Sequence, residues 1–597
     1  MMIKERIKAL RAEMQKRGID VYYVPTSDFH ETEYVGEYFK ARKYITGFSG
    51  SAGMAVVTKD MAGLWTDGRY FIQAEKQLAG SGVELFRMRE EGVPDVDDFI
   101  ADAVPQGGVV GFDGRVVNAH WAKALAEKTR NKAVTFHVDE DLVDLIWKDR
   151  PALPAEPVEI FEEQYSGCST VEKLRLIRED LRQAGASAHV LSTLDNICWL
   201  FNIRGNDVSH YPVVLSYAIV DQERAMLFVN PKTISKAVEE QLEAEGVSIW
   251  PYDRVFSAAG DLLAGGKVLL DSHKVNVRLY RAVEAVAEII DAPNPEVLRQ
   301  ATKNQVELEN IRQAHIKDGV ACTKFMYWLK KNIGKQPITE LSAQDYLAEL
   351  RAGQKGFLDL SFDTICAYGP NAAMMHYSAE PDSFSVLKPE GFLLVDSGGH
   401  YKEGSTDITR TYVLGPLTDE QKKMYTAVLR SNMNLASARF LHGCTGLNLD
   451  ILARGPLWDL GLDYRCGTGH GVGYRLNIHE APNGFRWRQV QERNDSCVLE
   501  EGMVTTDEPG YYEEGGYGIR IENEMICKKG PKTEYGQFME FETITYSPID
   551  LDGVDVRYLS QVDKDRINAY HKMVYDTIKS YFSGDELEFL KEYTRAI

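Results

Sequence analysis

The 597-residue chain has no run of about eighteen apolar residues, so no membrane-crossing helix is expected and a membrane is excluded as partner. Its eight cysteines form no Cys-x-x-Cys pair, which argues against a zinc knuckle or disulfide frame and fits reduced thiols in a cytoplasm. Positive charge is scarce: 68 Lys and Arg stand against 89 Asp and Glu, a net −21 that opposes nucleic acid as a general partner. The N-terminus, MMIKERIKALRAEMQKRGID, lacks the apolar core of a signal peptide. It reads instead as an amphipathic helix with Ile3, Ile7, Leu10 and Met14 on one face. What is present, 44% hydrophobic and 26% charged residues, is the composition of a globular protein long enough for several domains.

The first half repeats itself. A helix ending near Gly18 leads into the strand VYYVP and then Gly- and aromatic-rich hairpins; a Pro-rich stretch, 149–161, follows as linker. The order then returns, with a helix carrying Leu174, Ile177 and Leu181, a strand AHVLSTLD, and further hairpins. Gly18 and Gly185 lie 167 residues apart, as do Asp28 and Asp195. The expectation is an α/β (α+β) chain in which 1–150 and 151–304 are two copies of one α/β domain and 305–597 is a third, alternating helix and strand. Thr418 with Gln421 gives a capping box at the head of a helix burying Met424, Val428 and Met433.

Potential metal ligands gather in 392–543. FLLVDSGGHYKEGSTDITRTYVLG sets Asp396 and Asp407 on β-rich runs that read as a hairpin; GTGHGVG holds His470; DEPGYYE and GIRIEN hold Glu508 and Glu522. Singly, such acids are ordinary turn formers or solvated strand residues. Together, each beside an apolar run, they are carboxylates at a buried edge, where like charges repel unless cations lie between them. Oxygen donors with one imidazole suit Mn, Co, Zn or Fe at a hydrolytic two-metal site rather than a thiolate zinc site. The glycines of GTGHGVG would let the backbone pass close to metals and substrate. A phosphate loop is the competing reading, but no Lys-Ser/Thr follows and no Rossmann pattern precedes it.

The spacing of these five residues, with the words YGPNAAMMHY, DSGxxYxxGxTDxTRT, GTGHGVG, NxHExP, DEPGYYE and GIRIEN, resembles the two-metal pita-bread peptidases, and among them the long, three-domain Xaa-Pro aminopeptidases of peptidase family M24. The resemblance runs from about residue 20 to the end. It implies two creatinase-like N-terminal domains before a pita-bread catalytic domain, and two divalent ions per subunit, Mn2+ first with Co2+ or Zn2+ as alternatives. It implies that Asp396 holds one ion, that Asp407 and Glu522 bridge both, and that His470 with Glu508 completes the other. Glu508 would also move the proton, and His376 and His479 would contact substrate. Substrates would be peptides with proline second, and the protein a cytoplasmic homodimer. Arg520 would hold a carboxylate or peptide carbonyl, or else form a plain salt bridge to Glu508 or Glu522. Tyr368, Tyr377 and Tyr474 are candidates for the proline slot.

Three other readings share the fold: a prolidase limited to Xaa-Pro dipeptides, a metal-free creatinase-type hydrolase, and a catalytically silent binding module. The double N-terminal region argues against the first and the complete ligand set against the others. The chain departs from the pattern at Cys466, where the resembling enzymes carry a histidine on the substrate side; a small thiol there is expected to widen the pocket rather than to bind metal.

Overall fold

The computed structural model describes residues 2–375, 377–490 and 495–597. Two compact units divide the chain: Met1–Phe161 with Cys168–Glu296, and Glu162–Gly167 with Val297–Ile597.

The first unit contains two six-stranded sheets of the same construction. The first runs Glu84–Arg87, Ala62–Thr66, Met54–Thr58, Val21–Pro25, Val109–Gly111, Thr135–His137; the second runs Val247–Pro251, Ala225–Val229, Ser216–Asp221, Ala188–Leu191, Lys267–Leu270, Glu288–Asp291. In both, the strand that follows the leading helix is antiparallel to one neighbour and parallel to the other. Those helices, Ile3–Arg17 and Thr170–Ala184, bury Ile7, Leu10 and Met14 and Leu174, Ile177 and Leu181 respectively. Gly18 and Gly185 end them in the left-handed conformation, φ 67° and 71°, which a Cβ would disfavour. AHVLSTLD does not stay extended throughout: the strand stops at Leu191 and Leu194–Leu200 is helical, because its apolar side chains pack on the core at helical spacing.

In the second unit the helix Gln305–Asn332 starts at a capping box made by Asn304 and Glu307. The helix Asp419–Ala436 starts at the expected Thr418–Gln421 box and buries Met424, Val428 and Met433. A three-stranded sheet joins Ile365–Tyr368, Phe392–Ser397 and Ile408–Val413; a six-stranded sheet joins Arg439–Leu441, Gly536–Thr543, Asn523–Thr533, Val504–Asp507, Gly469–Val472 and His479–Phe485. This mixed α/β unit is a pita-bread domain. Phe392–Ser397 and Ile408–Val413 do pair antiparallel, with Asp396 opposite Thr409. Their connection is no tight turn, however: Gly399–Tyr401 and Gly404–Ser405 leave to form another sheet with Phe357–Leu360. No helix among the described residues is long and apolar enough to cross a membrane.

Candidate metal centre

The two sheets present their acids toward one another. Asp407 immediately precedes the strand Ile408–Val413, and Glu522 sits in the break between Gly518–Arg520 and Asn523–Thr533. Ligand atoms of Asp407, His470 and Glu522 lie within 4.8 Å of one another. His470 donates from Nδ1 to the Gly471 carbonyl at 2.9 Å, so the opposite nitrogen is the one left to bind a cation. That Nε2 lies 3.5 Å from Asp407 Oδ2 and 3.5 Å from Glu508 Oε1. Glu508 is anchored through its N–H, which donates to the Thr468 carbonyl at 2.8 Å.

Electrostatics single out the same residues. Burial, then repulsion from Asp396 and Glu508, pushes the Asp407 carboxyl well above the ordinary range. Burial, then Asp407, Glu508 and Asp396, does the same to Glu522. Asp396 Oδ1 is buried with no hydrogen-bond partner among the described residues. Carboxylates in this state are stabilised by cations between them, and the imidazole beside them completes a set suited to divalent metal. The residues present therefore fit the dinuclear group that the fold implies.

Arg520 is buried, and its Nη2 donates to Asp396 Oδ2 at 2.5 Å. Its ion pair is thus with Asp396, not with Glu508 or Glu522, because Nε and Nη1 are occupied by Thr409 Oγ1 at 3.0 Å and the Tyr512 hydroxyl at 2.7 Å. His479 meets the His470 ring edge-on, centroids 4.4 Å apart. His376 lies outside the described residues. The Tyr377 hydroxyl donates to Glu340 at 2.8 Å, that of Tyr368 to the Glu390 carbonyl at 3.1 Å, and that of Tyr474 to the Tyr165 carbonyl at 3.0 Å. The Cys466 thiol packs against the cluster of Ala427, Leu457 and Tyr464, and burial pushes it up to about 11, so it stays a neutral thiol.

The glycines beside His470 serve the neighbouring strands. A Cβ on Gly469 would stand 2.1 Å from the Thr506 carbonyl oxygen and one on Gly471 2.3 Å from that of Glu480, so both positions need glycine for the close approach of neighbouring backbone. Sequence reasoning also missed Thr409 and Thr411, whose hydroxyls donate to Glu522 Oε2 at 2.7 Å and to the Arg520 carbonyl at 2.9 Å. Strand alternation from Asp407 (407, 409, 411) was the available signal.

Residues 309–529 match the Metallopeptidase family M24, 537–597 the C-terminal region of peptidase M24, and 6–144 and 149–307 Creatinase/Prolidase N-terminal domains. The chain belongs to metallopeptidase family M24. Within it, the chain is 40% identical to "Probable Xaa-Pro aminopeptidase P" of Botryotinia fuckeliana, covering 98% of this chain and 91% of that one. It is 38% identical to "Aminopeptidase P2" of Arabidopsis thaliana, covering 98% and 87%. The solved structure of X-prolyl aminopeptidase from Caenorhabditis elegans, described as a cytosolic enzyme with a di-nuclear active site, superposes with a TM-score of 0.93 at 32% identity over 100% of both chains.

Proposed function

We propose that this chain is a dinuclear metal-dependent aminopeptidase that releases the N-terminal residue from peptides with proline in second position. The observation that carries this reading is the convergence of Asp407, His470 and Glu522 within 4.8 Å, at a wall where burial leaves the acids needing cations. Asp396 would hold one ion, Asp407 and Glu522 both, and His470 with Glu508 the other. Mn2+ is the preferred pair, with Co2+ or Zn2+ as alternatives on the same donors. Bound there, two divalent ions supply a polarised scissile carbonyl and an acidified water.

The remaining work falls to the chain. Glu508, the most exposed of the three acids around His470 at 22%, accepts the proton of the attacking water and returns it to the leaving nitrogen. His479, beside His470, donates to the oxygen on which charge develops, with His376 in the same role. Arg520 fixes the Asp396 carboxylate. A bond to proline has no N–H on its nitrogen, so a site that acts through the carbonyl and through protonation of that nitrogen needs no partner for one.

The matched N-terminal segments and their identical sheet orders support a duplicated pair of domains, 1–150 and 151–304, ahead of a catalytic domain 305–597. All eight cysteines are free, which supports a cytoplasmic location. Leu447, Ile451 and Trp458, exposed along the helix Gly446–Trp458, support a homodimer through the catalytic domain. Sedimentation at micromolar concentration gives a dimer mass in this reading.

The activity is tested by comparing Arg-Pro-Pro with an Xaa-Pro dipeptide. Release of arginine from the tripeptide supports the aminopeptidase; turnover of the dipeptide alone makes the protein a prolidase.

A further inference from the structure

One more acid stands behind the candidate centre. The strand Asn523–Thr533 places Glu524 two residues beyond Glu522, fully buried. Its Oε1 accepts the Asp407 N–H at 2.6 Å and lies 3.1 Å from His315 Nε2. Its Oε2 has no hydrogen-bond partner among the described residues, and its own N–H donates to Thr545 Oγ1 at 2.8 Å. His315 comes from the helix Gln305–Asn332, where Nδ1 donates to the Ile311 carbonyl at 2.8 Å; its Nε2, though near Glu524, has no hydrogen-bond partner among the described residues.

A carboxylate buried next to other carboxylates raises the electrostatic cost of the unit, and an apolar side chain of similar volume would fill the space without that cost. What an apolar side chain lacks is an acceptor for the Asp407 N–H. Asp407 stands at the mouth of its strand, where the register with Phe392–Ser397 has ended: the last pair is Ser397 with Ile408. Its backbone is therefore held by Glu524 at the point where the neighbouring strand no longer holds it. A one-residue drift there would move the carboxylate that faces both His470 and Glu522.

We propose that Glu524, through the bond it accepts from the Asp407 N–H, is the positioning residue of Asp407 and sets the affinity of the centre for metal. This rests on the reading of Asp407 as a metal ligand. A side chain that merely braces the sheet would affect thermal stability alone, whereas a positioning one moves metal affinity.

The test is calorimetric titration of Mn2+ into the metal-stripped, full-length protein. Glu524→Ala is expected to weaken binding by about tenfold, the lower end of the effect of losing an outer-sphere contact. Glu524→Gln keeps an amide oxygen for the Asp407 N–H and is expected to bind close to native affinity. Native affinity in Glu524→Ala, with only a lowered melting temperature, overturns the proposal. If Glu524→Ala does not fold, Glu524→Leu, which fills the space but offers no acceptor, decides: weakened Mn2+ binding supports the positioning role and native affinity overturns it. Asp407→Asn separates the two levels. If that variant binds Mn2+ like the native protein, the ligand reading itself fails; if it does not while Glu524→Ala does, only the positioning role fails.

Discussion

Buried acids in the two units are handled in opposite ways. In the first unit Asp113 lies 3.0 Å from Arg115, Asp28 accepts the N–H groups of His30 and Thr32 at 2.8 and 3.1 Å, and Asp207 accepts those of Glu156 and Leu215 at 3.0 and 2.8 Å. In the second, burial and the neighbouring charges of Asp396 and Glu508 push the Asp407 and Glu522 carboxyls well above the ordinary range, while the nearby cation Arg520 is bonded to Asp396. The same unit also contains conventional pairs, such as Asp318 with Arg351 at 2.6 Å. Burial is common to both groups, so burial does not identify function. The distinguishing feature is convergence: Asp407 and Glu522 lie with His470 within 4.8 Å, whereas Asp113, Asp28 and Asp207 are each matched by a cation or by backbone N–H groups.

The sharpest way to break this contrast is to remove one acid of each kind. Asp407→Asn is expected to lower activity on Arg-Pro-Pro by about a thousandfold, roughly 4 kcal/mol of barrier, with loss of metal in elemental analysis. Asp113→Asn is expected to leave kcat/KM native and to cost about 1–3 kcal/mol of stability in denaturant unfolding. Equal activity in the two variants would erase the distinction.

His479→Ala, which removes a neighbour of the centre but no ligand, is expected to keep the full metal content and lose about a hundredfold in kcat. A missing metal equivalent would make His479 a ligand and the present assignment wrong.

Two buried histidines carry the contrast into pH dependence. His571 accepts the Ile549 N–H, and burial, then Arg410, lowers it to about 3 from an ordinary 6.5. The unfolded chain takes up that proton near 6.5 and the folded one does not, so stability is present above 6.5 and lost as pH falls toward 3. For His189 burial alone would lower the value, but Glu296 at 3.2 Å outweighs it and holds it above ordinary. Its contribution is complete below about 6.5 and lost as pH rises through the raised value. Melting temperatures at pH 5, 7 and 9 check both. His571→Gln should shrink the drop from pH 7 to 5, and His189→Gln should destabilise more at pH 5 than at 9. An unchanged pH 7 to 5 drop in the first variant contradicts the buried neutral imidazole.

The smallest effect is expected at Cys466. Cys466→Ser should retain metal and most activity, since the thiol packs with Leu457 and Tyr464; a lost metal equivalent in elemental analysis would make it a ligand.

Local signals were legible in the sequence where local physics decides. Gly18 and Gly185 end equivalent helices, Thr418 and Gln421 form their box, and the acids of TDIT and GIRIEN lie with His470 within 4.8 Å. Partners set by distant contacts were not. Arg520 pairs with Asp396, 124 residues away, rather than with its sequence neighbour Glu522. The simple hairpin between Asp396 and Asp407 gives way to an excursion because Gly399–Tyr401 finds Phe357–Leu360. The Asp407 N–H is satisfied by Glu524, 117 residues on, which no spacing near GSTD announces.

The most direct measurement follows metal content and arginine release from Arg-Pro-Pro together, in full-length protein stripped by chelator and reloaded with Mn2+. The account predicts that activity disappears with the metal and returns in proportion as about two ions per chain are restored. Undiminished activity in metal-free protein would contradict it.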